Sequence, residues 1–310
     1  MAKLISLQEL ARYSITVGAV FDKSYLTVAL TSDARTKRDP EDRHAFLGIR
    51  REKEWKILPV PYPVRSQAVV DLPQRCILSV SHVGIVRRST PQGGEDEAKV
   101  GDASGLRVLD RTILNEVRCI DGVAYVAGAR RSAYRRDAPS KWACIDEAVH
   151  THEPVLSFQS IHGFSRSEIY AVGAGGEIWQ SDGRHWQRHD SGTNAKLNKV
   201  LCASDGSVYV AGNGGTLLRG RHAQWEVIED IPRGYNFWGL EFFDGRLFLT
   251  ANTVLVLELI DQRVRPVLFD ECPIPSTAYH LSVAADSLYS FGAKDIRRFD
   301  GGHWHDELTL

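Results

Sequence analysis

The chain has 310 residues, of which 43% are hydrophobic and 25% charged, so it can bury a large core without disulfides or metals. Its 38 Lys and Arg residues against 39 Asp and Glu residues leave a net charge of −1. This balance gives no support to nucleic-acid or anionic-membrane binding, and we predict neither among the partners.

The N-terminal stretch MAKLISLQELARYSITVGAVFDKS lacks the basic start, continuous apolar core and cleavage site of a signal peptide. No stretch approaches the roughly 20 apolar residues of a transmembrane helix. The five cysteines are an odd number without a CxxC pair, which is typical of reduced thiols. We therefore predict a cytoplasmic, bacterial protein that is a monomer or in complex with its partner.

A short apolar phrase recurs at intervals of about 40 residues, and Trp follows it after about 13 residues in four of five copies. The copies are AYVAG (124–128), IYAVG (169–173), VYVAG (208–212), LFLTA (247–251) and LYSFG (288–292). Two fainter copies precede them. SYLTVALTS (24–32) leads to Trp55, and RCILSVSH (75–82) is followed by VGIVRRS and later GLRVLD. The count is therefore seven.

Each unit divides into four short strands. The inner run ends in Asp-Gly or a similar turn, as in LNEVRCIDG (114–122) and FWGLEFFDG (237–245), and Asp-Gly between alternating runs is a strong hairpin signal. Four antiparallel strands in a unit of this length predict a propeller blade. We expect one all-β domain over 1–310, a seven-bladed β-propeller, or six blades with residues 1–70 partly irregular. The lead segment 1–11 would close the ring as an outer strand of the last blade, or form a short helix.

The pattern YAVGxxGxIxxSDGxxW resembles the BNR or Asp-box repeats of sialidase-like propellers and the related repeats of photosystem assembly factors. Ser181, Asp182, Gly183 and Trp186 match the box, and Asp300, Gly301 and Trp304 form a partial second copy. The resemblance covers about the last two thirds of the chain. It implies a propeller but not an activity, because such repeats form a turn at the corner of a blade, and this turn lies away from any active site.

In a propeller, connections from the fourth strand to the next first strand share a face with the second-to-third-strand turns. We place the partner-binding residues there: Arg65, Arg111, Asn115, Asn198, Arg233, Tyr235, Trp238 and Tyr279. Aligning the repeats puts Asn115, Asn198 and Trp238 at one equivalent position near the axial mouth, with Tyr279 or His280 close by. The segment IPRGYNFWGL concentrates the Arg, Tyr and Trp types that dominate binding hot spots. Alternatively, Phe237 and Trp238 only begin an inner strand and pack between blades.

Two charged segments interrupt the repeats. TSDARTKRDPEDRHA (31–45) falls in a second-to-third-strand connection, and QGGEDEAKVGDASG (92–105) reads as an acidic loop on the opposite face. The pairs His150/His152 and His303/His305 have no predictable third ligand, and no catalytic or phosphate-binding motif occurs. We predict no cofactor, no metal and no catalytic residue.

The sequence predicts a non-catalytic, protein-binding propeller that binds and neutralises one toxin or effector, as an immunity protein does. A client-specific assembly factor is a second possibility. A sialidase-like glycan-binding or glycan-hydrolysing propeller is a third, with Arg65, Arg111, Arg233, Tyr235 and Glu116 as its candidate residues.

Overall fold

Seven antiparallel sheets are arranged around one axis in the computed structural model, which describes residues 2–39, 45–101, 113–153, 155–269, 272–284 and 286–310. The innermost strand of each sheet packs on the innermost strands of its neighbours. The prediction of a seven-bladed β-propeller is confirmed. The six-blade alternative is wrong, because residues 13–60 form a complete first blade.

Four consecutive strands follow the chain from the innermost to the outermost in every blade, and blade 1 has one additional outer strand. Blade 1 contains β1 (Lys3–Ile5), β2 (Tyr13–Asp22), β3 (Tyr25–Ser32), β4 (Ala45–Arg51) and β5 (Glu54–Val60), with β2 innermost. Blade 2 contains β6 (Val64–Val70), β7 (Cys76–Ser81), β8 (Val86–Thr90) and β9 (Gly93–Glu97). Blade 3 contains β10 (Leu114–Ile120), β11 (Val123–Gly128), β12 (Ala133–Ala138) and β13 (Lys141–Cys144). Blade 4 contains β14 (Phe158–Ser165), β15 (Glu168–Gly173), β16 (Ile178–Ser181) and β17 (Trp186–His189).

The last three blades repeat this order. Blade 5 contains β18 (Leu197–Cys202), β19 (Val208–Gly212), β20 (Leu217–Arg221) and β21 (Gln224–Val227). Blade 6 contains β22 (Phe237–Phe243), β23 (Arg246–Ala251), β24 (Leu255–Ile260) and β25 (Arg263–Pro266). Blade 7 contains β26 (His280–Ala284), β27 (Ser287–Phe291), β28 (Asp295–Phe299) and β29 (Trp304–Thr309). Helices α1 (Leu7–Leu10) and α2 (Asp33–Arg38) lie in blade 1, and a 3₁₀ turn spans Ala174–Gly176.

This strand order divides the ring into two faces. The connections between blades and the second-to-third-strand turns lie on one face, which we call the mouth face. The first-to-second and third-to-fourth turns lie on the opposite face. The hairpin turns there suit their sequence, because Asp121 and Gly122 have φ of 51° and 78°, and a two-residue type I′ turn needs positive φ at both positions.

The Gly that ends the repeated phrase sits where two backbone segments touch. A Cβ on Gly173 would lie 1.8 Å from the carbonyl oxygen of Ser157, and one on Gly128 would lie 2.3 Å from that of Ile113. No side chain fits at such a distance. The recurring Gly therefore lets the second strand approach the segment that enters the innermost strand.

The recurring Trp of the outermost strand packs against the preceding blade. Trp225 of blade 5 meets Tyr170 of blade 4 edge-on, with ring centroids 6.1 Å apart. Trp304 of blade 7 packs on Phe248 of blade 6 and on Phe269 of the connection between them. These indole rings therefore pack between neighbouring blades.

The N-terminal segment joins the first blade and not the last. β1 pairs with β5 as a fifth, outer strand of blade 1, and α1 follows it. Contacts between blades 1 and 7 close the ring. Lys294 Nζ donates to the carbonyl oxygens of Ala11 and Tyr13, and Ile15 N donates to Ala293 O at 2.9 Å.

Blade 2 differs from its prediction. The acidic segment predicted as a loop supplies its outermost strand, because β9 pairs with β8 over five residue pairs. Arg87 and Arg88 of β8 form ion pairs with Asp96 and Glu95 of β9 at 2.8 Å. Cross-strand charge pairing thus holds this outermost strand, which has no Trp. GLRVLD (105–110) lies outside the described residues.

Candidate functional site

A ring of β-bulges surrounds the propeller axis on the mouth face. In six blades the pairing of the two inner strands shifts at the second or a nearby residue of the innermost strand, so one residue there has no cross-strand partner. These bulge residues are Thr16, Arg65, Asn115, Gln159, Asn198 and Trp238. Blade 7 pairs without a bulge from His280 onward. We define the axial mouth as each bulge residue with the two residues before it, plus Ala278–His280.

The equivalence of Asn115, Asn198 and Trp238 predicted from the repeats is confirmed. The two asparagines already have partners in the fold. Asn115 Nδ2 donates to Phe158 O at 2.8 Å, and Asn198 Nδ2 donates to Phe237 O at 2.9 Å. Each therefore ties its blade to the first residue of the next innermost strand. Asn198 is buried, whereas Asn115 is half-buried and keeps a surface toward the mouth.

The axial mouth is cationic. Its charged residues are Arg65 and Lys196, both exposed, and neither forms an ion pair within the part of the chain that the structure describes. Partial burial and the nearby charge of Arg65 lower the pKa of Lys196. Two like charges close enough to interact form a local site of positive potential.

Aromatic side chains border the same opening. Trp238 is 41% exposed, although Phe237 beside it is fully buried between blades 5 and 6. The alternative that both rings only pack between blades therefore holds for Phe237 and not for Trp238. Tyr235 is half-buried against Phe237, with ring centroids 6.1 Å apart, and Arg233 is exposed.

The segment that carries these residues is fixed by hydrogen bonds. Asn252 Nδ2 donates to Gly234 O at 3.0 Å, and Asn236 N donates to Asn252 Oδ1 at 2.9 Å. Gly215 N also donates to Tyr235 O at 2.6 Å. Turns of blades 5 and 6 thus hold the segment in place, which lowers the entropy lost on binding a partner.

Tyr279 is held by its backbone at the edge of blade 7. Its N–H donates to Phe291 O at 2.8 Å, and the half-buried ring lies at the mouth level. Arg111, the remaining predicted residue, lies outside the described residues.

Ion pairs cross the axis below the mouth. Glu116 of blade 3 is buried and binds Lys199 of blade 5, while its other oxygen accepts from Ile161 N of blade 4 at 3.2 Å. Arg118 of blade 3 binds Glu241 of blade 6 at 2.6 Å. The mouth is therefore a depression with a polar floor rather than an open channel.

Two neutral histidines lie at this floor. Burial, with a smaller contribution from Arg118, lowers the pKa of His162 well below its usual range. His162 Nδ1 accepts from Cys202 N at 2.9 Å, so its proton is on Nε2. Burial, with Lys199 and Arg118, lowers the pKa of His280 to about 3. A cavity of about 170 Å³ lies between these rings and the Arg118–Glu241 pair.

The Asp-box-like turns lie on the opposite face. Asp182 Oδ1 accepts from the backbone N–H groups of Arg184 and His185 at 2.8 and 2.6 Å, which lowers the pKa of Asp182 to about 2. Asp300 binds Gly302 N and His303 N in the same way. These carboxylates shape the turns between the third and fourth strands and do not reach the mouth.

Other possible sites are less developed. Among the described residues, no three potential metal ligands of the His, Cys, Asp and Glu types lie together. A larger open groove of about 760 Å³ lies on the outer side of blades 1 and 7, lined by Leu7, Trp55, Arg50 and Glu307. In the part of the chain that the structure describes, neither helix is long and apolar enough to span a bilayer.

Comparison with known proteins gives one curated relative and many similar folds. No family model matches the chain. An immune protein of Pseudomonas aeruginosa strain PAO1, "Immune protein Tsi7", is 44% identical over 191 residues, which are 61% of this chain and 62% of the relative. The match thus spans less than two thirds of the relative's length.

The similar solved structures are propellers. "YCF48 bound to D1 peptide" has a TM-score of 0.64 and 16% identity, and covers 94% of this chain and 93% of its own. YCF48 from Cyanidioschyzon merolae has a TM-score of 0.62 and 11% identity, over 94% and 96% of the two chains. The WD40 propeller of Doa1 has a TM-score of 0.68 and 9% identity, over 92% of each. At these identities the likeness concerns the fold alone, and it confirms the propeller part of the resemblance.

Several features of the mouth were not predicted. Lys196 was not predicted because it lies one residue before an innermost strand. Its position beside the axis depends on where the β-bulge falls in that strand. The crossing pairs Glu116–Lys199 and Arg118–Glu241 were also missed. Glu116 and Lys199 occupy equivalent positions in the repeats of their blades, and so do Arg118 and Glu241. Opposite charges at equivalent repeat positions were the sequence feature that could have predicted these ion pairs.

Proposed function

We propose that this chain is a cytoplasmic, bacterial immunity protein that binds one toxin protein and neutralises it without catalysis. The observation that carries the proposal is the 44% identity to an immune protein over 191 residues. The mouth, with its exposed Trp238 and Arg65, supports it because Trp and Arg are among the residue types that supply most binding energy in protein interfaces. In this proposal the chain is a monomer until it binds the toxin.

The geometry of Glu116 supports the non-catalytic part of the proposal. A sialidase-like mechanism would use Glu116 as part of its reactive centre. Here the carboxylate is buried, bound to Lys199 and to Ile161 N, and lies below the level of Arg65. Both oxygens are occupied by groups of the fold, so neither is available to a sugar.

A protection assay tests the proposal. The tagged chain is purified from its native organism, any protein recovered with it at 1:1 stoichiometry is identified, and that protein is produced from an inducible promoter in a host that lacks the chain. We expect growth arrest without the chain and normal growth when it is produced together with the toxin. Recovery of no stoichiometric partner, or continued arrest in the presence of the chain, would contradict the proposal.

A further inference from the structure

The charge of the mouth face differs between its centre and the side formed by the connections of blades 3, 4 and 5. The mouth residues include two cations, Arg65 and Lys196, and no Asp or Glu. The outer parts of the connections leaving blades 3, 4 and 5 carry exposed carboxylates without an ion-pair partner among the described residues: Glu147, Glu153, Asp190 and Glu229. A single anionic group is therefore attracted to the centre, whereas an extended polyanion crossing this side would be repelled.

Exposed apolar side chains surround the cationic centre. Ile113, one residue before an innermost strand, is 57% exposed, and Trp238 is 41% exposed. Val155, in the connection between blades 3 and 4, is 74% exposed. Large apolar residues directed into solvent beside a recessed charged site are typical of protein interfaces and not of phosphate-binding grooves.

The connection between blades 6 and 7 adds to this surface. Its Phe269 packs on Trp304 with ring centroids 4.9 Å apart, and Cys272 packs into the same core cluster. On either side of these two residues, Leu268 and Ile274 are 74% and 79% exposed. The half-buried Phe269 and Cys272 thus attach this connection to the fold, while the side chains of Leu268 and Ile274 are presented to solvent.

We infer that the mouth face is the docking surface, and that the bound protein places an acidic side chain between Arg65 and Lys196 while its apolar residues cover Ile113, Trp238, Leu268 and Ile274. The inference rests on the proposed function, that the chain binds a protein toxin. The polar floor formed by Glu116 and Lys199 sets how deep the acidic side chain can reach. Charge complementarity selects an acidic segment flanked by apolar residues, and not a nucleic acid.

Charge reversal at the mouth tests the inference with the toxin from the protection assay. The variant R65E/K196E is compared with K53E/R184E, which reverses two exposed cations on turns of the opposite face and changes the net charge equally. We expect the mouth variant to bind the toxin at least about 30-fold more weakly and the control to bind within about threefold of the wild type. Both variants should have unchanged circular dichroism, and R65Q/K196Q serves as a milder pair.

A second arm needs no toxin. Amide NMR of the wild type is recorded with a capped Leu-Glu-Leu peptide, a capped Leu-Lys-Leu peptide and a 12-nucleotide single-stranded DNA. We expect the glutamate peptide alone to shift the amides of Arg65, Lys196 and Trp238, and R65E/K196E to abolish the shifts. Stronger shifts with DNA would overturn the choice of a protein partner, and shifts confined to the opposite face would overturn the surface.

The two proposals fail in different ways. If the wild type protects no cell from any toxin, the proposed function fails, while the peptide arm still reports on the surface. If the toxin binds R65E/K196E as well as the wild type, or if K53E/R184E loses binding instead, the docking surface is wrong and the proposed function stands.

Discussion

Arg118 of blade 3 donates from Nη1 to Glu241 Oε1 of blade 6 across 2.6 Å, which links two blades that are not neighbours in the ring. Both side chains are largely buried, and the two carboxylates Glu241 and Glu116 raise the pKa of Arg118 against the effect of burial. The centre of this propeller is therefore held by charges in addition to the packing between adjacent blades.

Removing one partner of this pair should be costly. Glu241→Gln leaves the Arg118 charge without its direct counterion, and we expect unfolding in urea to show a loss of about 3–5 kcal/mol. Asp71→Asn, which breaks the exposed Arg75–Asp71 pair, is the control and should cost at most about 1 kcal/mol. Equal losses of stability in the two variants would show that the Arg118–Glu241 pair does not stabilise the fold more than an exposed ion pair does.

The stability of the protein should fall as the pH drops below 6.5. His162 and His280 have lowered pKa values in the folded state, so the unfolded chain binds more protons between each folded value and 6.5. Their contribution to stability is present above pH 6.5 and is lost toward the folded pKa, about 3 for His280. We expect a slope of up to about 1.4 kcal/mol per pH unit for each histidine.

Urea unfolding between pH 7.5 and 5 measures this slope. His280→Gln should flatten it, and the exposed His152→Gln should leave it unchanged. An unaltered slope in His280→Gln would show that other groups cause the acid destabilisation.

The Gly of the repeated phrase should not tolerate a side chain. In Gly173→Ala the new Cβ would collide with the carbonyl oxygen of Ser157, and we expect a loss of at least about 2 kcal/mol or failure to fold. Gly234→Ala is the control, because no atom lies within 4 Å of its ideal Cβ. Thermal unfolding distinguishes them, and similar midpoints for both variants would contradict the close approach.

The tryptophans should divide into structural and binding residues. Trp304→Ala empties a buried site between blades 6 and 7 and should cost about 3–5 kcal/mol. Trp238→Ala removes an exposed ring at the mouth, so we expect a stability within about 1 kcal/mol of the wild type but weaker toxin binding. Calorimetric unfolding together with toxin titration checks both, and the expectation fails if Trp238→Ala unfolds as readily as Trp304→Ala.

Much of the fold was predictable because the residues that pack between blades recur at the same position of each sequence repeat. Gly173 and its equivalents are needed where backbones touch, and Trp225 and Trp304 are needed where blades meet, so these positions recur. Blade 2 escaped this pattern. Its outermost strand is held by Arg87–Asp96 and Arg88–Glu95 pairs, and an acidic Gly-rich stretch carries no strand signal when read alone.

The site was less predictable than the fold. Repeat alignment placed Asn115, Asn198 and Trp238 together, but it could not show that the asparagine amides would be used between blades. The proximity of Lys196 to Arg65 depends on where each bulge falls and on which blades oppose each other across the axis. These are properties of the closed ring, and a local stretch of sequence does not contain them.

Each blade is built from one continuous stretch, and β1 belongs to blade 1, so no described strand is shared between blades 1 and 7. The chain itself tethers every other pair of adjacent blades, but this junction depends on non-covalent contacts such as those of Lys294. Partial opening of the ring should therefore begin there. The amide hydrogen of Ile15, which donates across the junction, should therefore exchange with solvent faster than global unfolding allows.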